Sequence, residues 1–287
     1  MSVLKKIAIV YHPNLPEAAT AMQEISAYLK KSGVEEIVTG AVNDDGLKVD
    51  IGKQRPDMVI ALGGDGTMLR AGHLCAINNL PLLGINRGHF GFLTELDKTQ
   101  WPEMLPHLLR GEYRIEERSM LRAEKIHKGK STGTWDVIND VVVCRGSVVR
   151  PIHLNAYVDH HLLASYVADG LIVATPTGST AYALAVGGPI LAPELHTNII
   201  VPVAPHLSPE QAVVLPGEAC VEIEVLNHHQ AVLSIDGQTP VLLDPGDIVT
   251  ATGSPYHLQF VRFREPSNFY SHITRFMEHN PSANGDE

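Results

Sequence analysis

The segment Met58-Val59-Ile60-Ala61-Leu62-Gly63-Gly64-Asp65-Gly66-Thr67 decides how the rest of the chain is read. Five consecutive apolar residues suit a strand buried on both faces, and the glycines after them let the backbone turn sharply into a helix expected from about Thr67. Upstream, Ile7-Ala8-Ile9-Val10 is another apolar run; Ala18, Met22, Ile25 and Leu29 then recur at helical spacing, and Lys30-Lys31-Ser32-Gly33 reads as a stop. Downstream, Leu82-Leu83-Gly84-Ile85 leads into a second glycine-rich loop that runs to Leu93. Strands alternating with helices predict an α/β N-terminal domain with a Rossmann-like parallel sheet, its binding loops at the carboxyl ends of the strands.

From about Met120 helical periodicity fades and short β-branched runs take over, at 141–143, 152–158, 162–167, 199–203, 221–226, 232–235 and 257–263. An all-β second domain follows from this texture. One short helix is expected inside it, from Thr180 to Val186, with Ser and Thr ahead as caps and Gly187-Gly188 as a stop. Helical character returns from about Phe269 to Met277, and the polar tail from Asn280 reads as loose. The expected division is therefore 1–119, 120–264 and 265–287.

Composition narrows the function. The 287 residues are 44% hydrophobic and 19% charged, which fits a globular chain and excludes disordered or collagen-like architectures. Lys and Arg number 22 against 32 for Asp and Glu, a formal charge of −10 without a basic cluster, so nucleic acid is not an expected partner. Cys75, Cys144 and Cys220 are far apart and odd in number, which suits a reducing compartment and gives neither a disulfide framework nor a zinc site. No secretory h-region opens the chain and no apolar run reaches the roughly 18–20 residues that span a bilayer, so a cytoplasmic protein without a membrane partner is expected.

Three segments carry chemistry. Gly63 to Thr67, between strand and helix, offers amides to phosphate oxygens; Asp65 would repel phosphate, which points to a role on a hydroxyl proton or a metal ion, or else to a plain acidic residue in a first turn. The second loop brings Arg87 toward phosphate or a cap, and Phe92 toward a ring or the core. In Asp169-Gly170-Leu171-Ile172-Val173-Ala174-Thr175-Pro176-Thr177-Gly178-Ser179-Thr180-Ala181-Tyr182, four hydroxyls within six positions would serve ribose or phosphate, beyond the one that N-capping needs. Asn139-Asp140 interrupts an apolar strand, as a bulge or turn or as ligand-binding groups. The common nucleotide, metalloprotease and hydrolase signatures are absent, and His160-His161 and His228-His229 read as surface or turn residues.

Together these residues resemble the NAD kinase (ATP-NAD kinase) family. The Gly63 to Thr67 loop alone is shared with lipid kinases of the diacylglycerol and sphingosine type. The run from Asp169 to Tyr182 with Gly187-Gly188-Pro189-Ile190 is more specific. Gly84-Ile85-Asn86, Gly88, Gly91-Phe92-Leu93, Asn139-Asp140 and Ser234-Ile235-Asp236-Gly237-Gln238 extend the likeness over nearly the whole chain. The resemblance implies a C-terminal β-sandwich, a last segment returning to the first domain, and an active site between the domains. It implies transfer of the γ-phosphoryl group of ATP to the 2'-hydroxyl of the adenosine ribose of NAD, with Mg²⁺ or another divalent cation arriving on ATP and no protein metal cage. By the same resemblance Asp65 is the general base. NAD meets Asp65, Gly66, Leu69, Phe92, Asn139, Asp140, Asp169, Thr177, Thr180, Ala181, Tyr182, Ala204 and Gln238, and the ATP phosphates meet Gly63, Gly64, Gly66 and Thr67. It also implies a homodimer or homotetramer. Many members carry Glu at the position of Asp140, and some carry a basic residue where this chain has Val167, which bears on the choice between NAD and NADH. Two rivals stand beside this reading: a lipid kinase sharing the first loop, and a non-catalytic NAD-binding module.

Overall fold

A computed structural model describes residues 4–87, 91–226 and 229–278 of the chain. The chain divides into two compact units, one made of Met1–Glu117 with Leu258–Glu287 and the other of Arg118–His257. The elements run β1 Lys6–Tyr11, α1 Pro16–Lys31, β2 Glu36–Ala41, α2 Asp45–Gln54, β3 Met58–Leu62, α3 Asp65–Asn78, β4 Leu82–Ile85, α4 Trp101–Leu109 and β5 Arg114–His127. There follow β6 Lys130–Val137, β7 Asp140–Arg145, β8 Ile152–Val158, β9 His161–Ala168, β10 Gly170–Ala174, a 3₁₀ turn Gly178–Thr180, α5 Tyr182–Ala185 and β11 Thr197–Val203. The last are β12 Val213–Pro216, β13 Val221–Val225, β14 Ala231–Ile235, β15 Val241–Leu243, β16 Ile248–Arg262 and α6 Asn268–Glu278.

In the first unit β2, β1, β3 and β4 lie side by side in parallel, and the end of β16 adds alongside β4, with Phe260 opposite Leu82. Every residue of β3 and of β4 is buried, as both-face coverage of a parallel sheet requires. Helix α1 opens on Pro16 and buries Ala18, Ala21, Ile25 and Leu29, one stripe at spacings of three and four. Its core partners include Ile7, Ile9, Met58, Ile60, Leu62, Leu83 and Val261, and each such fully buried aliphatic side chain contributes about 1.5–3 kcal/mol.

The second unit is antiparallel. One sheet runs β12-β11-β10-β7-β14-β15; β13, β8, β9 and the first part of β16 form another, and β5 pairs with β6 in a hairpin. Val141, Val143, Leu171, Val173, Leu233 and Ile235 share a core with Leu154, Ala156, Ile223 and Val249, so the two inner faces make a β-sandwich. Alternate residues of β7 and β10, Val142, Ile172 and Ala174, pack outward against Ala183 and Leu191. The central strands are thus covered on both sides, which explains why their sequence reads as continuous apolar runs.

Three expectations are corrected. The sequence assigned 258–264 to the β domain, whereas the chain re-enters the first unit at Leu258, because Phe260 pairs with β4 and Val261 joins the first core. Helix α3 begins at Asp65, two residues early, with Gly64 as its cap residue. The helix expected from Thr180 to Val186 is broken at Ala181 into the 3₁₀ turn and a four-residue α5, although Gly187 does end it with a φ of 89°.

Candidate active site

Asp65 is the first residue of α3, on the loop between β3 and that helix. The Gly63 amide donates to the Ile85 carbonyl at 3.1 Å, which ties this loop to the end of β4, and the Thr67 and Met68 amides return to the Gly64 carbonyl at 2.9 and 3.1 Å. A Cβ at Gly63 would overlap the Thr67 side chain, whereas the same position at Gly64 and Gly66 is open space. The loop therefore presents bare backbone at the N-terminus of a fourteen-residue helix, where amides and dipole favour an anion. The Thr67 hydroxyl beneath it is buried and has no hydrogen-bond partner.

The second loop sits directly on Asp65. Its Oδ2 accepts the Phe92 amide at 2.9 Å and its Oδ1 the Leu93 amide at 3.1 Å, and a Cβ at Gly91 would collide with the same carboxylate. Phe92 is half-buried, as are Leu69 and Arg87. Gly88, His89 and Phe90 lie outside the described residues. Asp65 is therefore an oriented carboxylate, held by two backbone donors from a segment 27 and 28 residues away in sequence.

In the second unit Ile138 and Asn139 form the bend between β6 and β7, and Asp140 is the first residue of β7. Asp236 builds it: its carboxylate accepts the amides of Ile138 at 2.8 Å, Asn139 at 2.7 Å and Asp140 at 3.1 Å. From the other side the Thr175 amide donates to the Asn139 carbonyl at 2.9 Å, and a Cβ at Gly178 would overlap the Asn139 backbone. The Asn139 Oδ1 is buried without a partner, and Asp140 is only 5% exposed. Burial, and then the charge of Asp236, push the Asp140 carboxyl up to about 7.

The hydroxyl-rich turn divides its labour differently from expectation. Thr175 Oγ1 donates to the Ile138 carbonyl at 2.6 Å and accepts the Gly178 amide, while Ser179 Oγ donates to Pro176 and accepts the Leu191 amide at 3.0 Å. Both are buried staples of the turn, so four ligand-facing hydroxyls are not present. Thr177 accepts from the buried Arg118 at 3.2 Å, and Thr180 donates to the Thr177 carbonyl.

Asp169 follows β9 and donates its amide to Val203, next to Ala204, which is exposed with a φ of 45°. Its carboxylate forms an ion pair with Arg145, Nε to Oδ2 at 3.0 Å, without the angle of a hydrogen bond. Tyr182 is half exposed beside the exposed Ala185; its phenol is pushed up by burial and then by Cys144, Asp169 and Asp140, which brings Asp140, Asp169 and Tyr182 into one electrostatic neighbourhood. Ala181 is half-buried. Gln238 is exposed on the turn that carries Asp236 and Gly237, and donates its amide to Ile235 at 2.8 Å. Sequence reasoning missed Asp236, Arg145 and Arg118 as site-building residues. Asp236 stood in the Ser234 to Gln238 segment that carries the resemblance, and its Asp-Gly pair marks a tight turn, but no role was read for it.

Among the described residues, His127, Asp244 and Asp247 are the one trio spaced for a metal ion. Lys125 already places its ammonium 3.1 Å from Asp247, and His127 bonds the same carboxylate at 2.6 Å, so both oxygens of Asp247 already have partners within the protein. His160 pairs with Glu222 at 2.6 Å on the surface.

Two family descriptions match the sequence in tandem: the ATP-NAD kinase N-terminal domain over residues 7–113 and the ATP-NAD kinase C-terminal domain over residues 138–263. The chain belongs to the NAD kinase family. An NAD kinase of Dehalococcoides mccartyi is 36% identical over 281 residues, 97% of this chain and 98% of the relative. Another, of Moorella thermoacetica, is 41% identical over 232 residues, 80% and 73% of the two chains. The fold is shared with yeast NADH kinase solved with NADH (TM-score 0.85, 23% identity, 100% of this chain and 90% of that). It is shared also with an NAD kinase from Archaeoglobus fulgidus solved with ATP (TM-score 0.74, 24% identity, 94% and 98%). The family establishes a phosphotransferase that phosphorylates NAD, and the lipid-kinase and non-catalytic alternatives fall.

Proposed function

We propose that Asp65 is the general base of NAD phosphorylation. In this reading the 2'-oxygen of the adenosine ribose attacks the γ-phosphorus of ATP, its proton passes to the Asp65 carboxylate, and the bond from the γ-phosphorus to the bridging oxygen breaks with its electron pair leaving on ADP. The observation that carries it is the oriented carboxylate in a phosphate-suited loop, since Phe92 and Leu93 hold both of its oxygens in place. A negative side chain there would oppose a phosphate ligand unless it acts on a proton or a cation. A carboxylate is a weak base for an alcohol, so the proton leaves late and positioning supplies most of the rate.

The open backbone at Gly64 and Gly66, together with the partnerless Thr67 hydroxyl, fits the phosphates of ATP. Mg²⁺ fits as an ion carried by those phosphates, with Asp65 the acidic side chain of that loop; when bound it neutralises charge developing on the transferred group. In this reading the dinucleotide meets Gly66, Leu69, Phe92, Asn139, Asp140, Asp169, Thr177, Thr180, Ala181, Tyr182, Ala204 and Gln238. The buried, partnerless Asn139 Oδ1 supports the assignment of that turn, because such an acceptor costs about 1–3 kcal/mol unless a ligand donor meets it. The assembly is a cytoplasmic homodimer or homotetramer; the exposed Leu162 and Leu163 on edge strand β9 and Val214 on edge strand β12 support association through the β unit.

The test is an ATP- and Mg²⁺-dependent assay with NAD, read through an NADP-specific dehydrogenase. Asp65→Asn should lower turnover by about 10²–10⁴-fold while NAD still raises the melting temperature. Equal loss of turnover and NAD binding would make Asp65 a binding or structural group.

A further inference from the structure

Arg262 ends β16 and is only 6% exposed. Its Nε donates to Glu116 Oε1 at 3.1 Å, and its Nη1 donates to Glu95 Oε2 at 3.3 Å and to the Leu93 carbonyl at 3.2 Å. Both glutamates are themselves buried, and the second oxygen of Glu95 accepts the amides of Phe263 at 2.9 Å and Arg264 at 3.2 Å. The Phe260 ring lies against the guanidinium, 4.7 Å from its centroid. All of these groups belong to the first unit. An apolar residue would hold a strand end as well as this buried pair of carboxylates does, and at lower desolvation cost. What an apolar residue lacks is a donor for the Leu93 carbonyl.

Leu93 is gripped at both ends, its carbonyl by Arg262 and its amide by Asp65 Oδ1. The Phe92 amide, one peptide earlier, holds the other oxygen of Asp65. We propose that Arg262, anchored by Glu95 and Glu116, is a positioning residue for phosphoryl transfer: it fixes Leu93, and through Leu93 the direction of the Asp65 carboxylate. The proposal rests on Asp65 being the base. Lysine does not replace arginine here, because a point charge on a flexible stem cannot span two carboxylates and a carbonyl as a planar fork does.

Steady-state kinetics of Arg262→Lys, Glu116→Gln, Asp65→Asn and the Arg262→Lys/Asp65→Asn double variant test this, with the NAD-induced thermal shift reporting the folded state. Arg262→Lys should lower kcat about tenfold, with KM for NAD and ATP within about twofold, as expected when only orientation at the reacting centre suffers. In the Asp65→Asn background the same change should alter the residual rate by less than about twofold, since the group it aims is gone. Unchanged kcat in folded Arg262→Lys, a parallel rise in KM, or the full tenfold loss recurring in the Asp65→Asn background would each overturn the proposal. Should Arg262→Lys show no NAD-induced shift, Glu116→Gln decides: a lower kcat at unchanged KM upholds the role and a kcat equal to that of the unmodified enzyme removes it. Normal turnover in Asp65→Asn would instead overturn the base assignment, whereas an inactive Asp65→Asn beside a fully active Arg262→Lys removes only the positioning role.

Discussion

Asp140, at the start of β7, and Asp236, in the turn after β14, are neighbouring carboxylates in unequal surroundings. Asp236 accepts three backbone amides, while Asp140 is buried beside it and is pushed up to about 7 by that burial and then by the Asp236 charge. A carboxyl whose folded pKa lies above its unfolded value binds more protons when folded, so stability falls as pH rises from about 4 to about 7 and the full penalty persists above that. Asp140→Asn should therefore raise the melting temperature at pH 8, with the gain shrinking to nothing near pH 4; thermal melts across that range check it, and a gain independent of pH would contradict it. If NAD ribose hydroxyls meet Asp140, the same variant also flattens any alkaline change in KM for NAD. Asp169 and Arg145 are the other charged groups near this bend; the Tyr182 phenol and the Cys144 thiol, both pushed up by burial, stay neutral over this range.

At the scale of the element, the segment from Thr175 to Ala185 shows how tertiary contacts override local preference. Its sequence reads as a capped helix, yet Ser179 is pinned between Pro176 and Leu191, and Gly178 lies against the Asn139 backbone. Local hydroxyls compete with helix hydrogen bonds when such partners are in reach, so the helix splits. Gly178→Ala forces a Cβ into the Asn139 main chain. We expect a loss of about 1–3 kcal/mol in denaturant unfolding, together with at least about tenfold weaker NAD binding by calorimetry. Loss of stability with unchanged NAD affinity would separate this turn from the ligand. Strand β5 escaped the sequence reading for a related reason: Glu116 and Arg118 are buried charges paired inside the fold, which spoil the apolar alternation by which strands are recognised.

At the scale of the whole molecule, the second unit is an insertion within the first, since residues 258 onward return to the first core. Strand β16 is therefore part of two foldings in one stretch of chain. Truncation after His257 should remove Phe260, Val261 and Arg262 from the first unit, with more than about tenfold faster hydrogen exchange at β4 amides, while β10 amides keep their protection. Retained protection at β4 would show that the returning strand is dispensable. Among the described residues no helix is long and apolar enough to cross a membrane.

The sequence by itself determined the strand-loop-helix character of 58–78, the change to β texture near Met120, and the family. These are local signals: apolar runs, glycines where backbone must approach closely, and a carboxylate placed where a phosphate cradle would otherwise exclude one. Only the tertiary structure decided that Asp236 holds the backbone of Ile138, Asn139 and Asp140, and that Thr175 and Ser179 are internal staples. It likewise decided that Arg262, 169 residues from Leu93, bears on the loop that holds Asp65. A hydrogen bond between distant residues leaves no periodicity in a sequence, and a buried charge reads as a surface one until its partners are brought beside it.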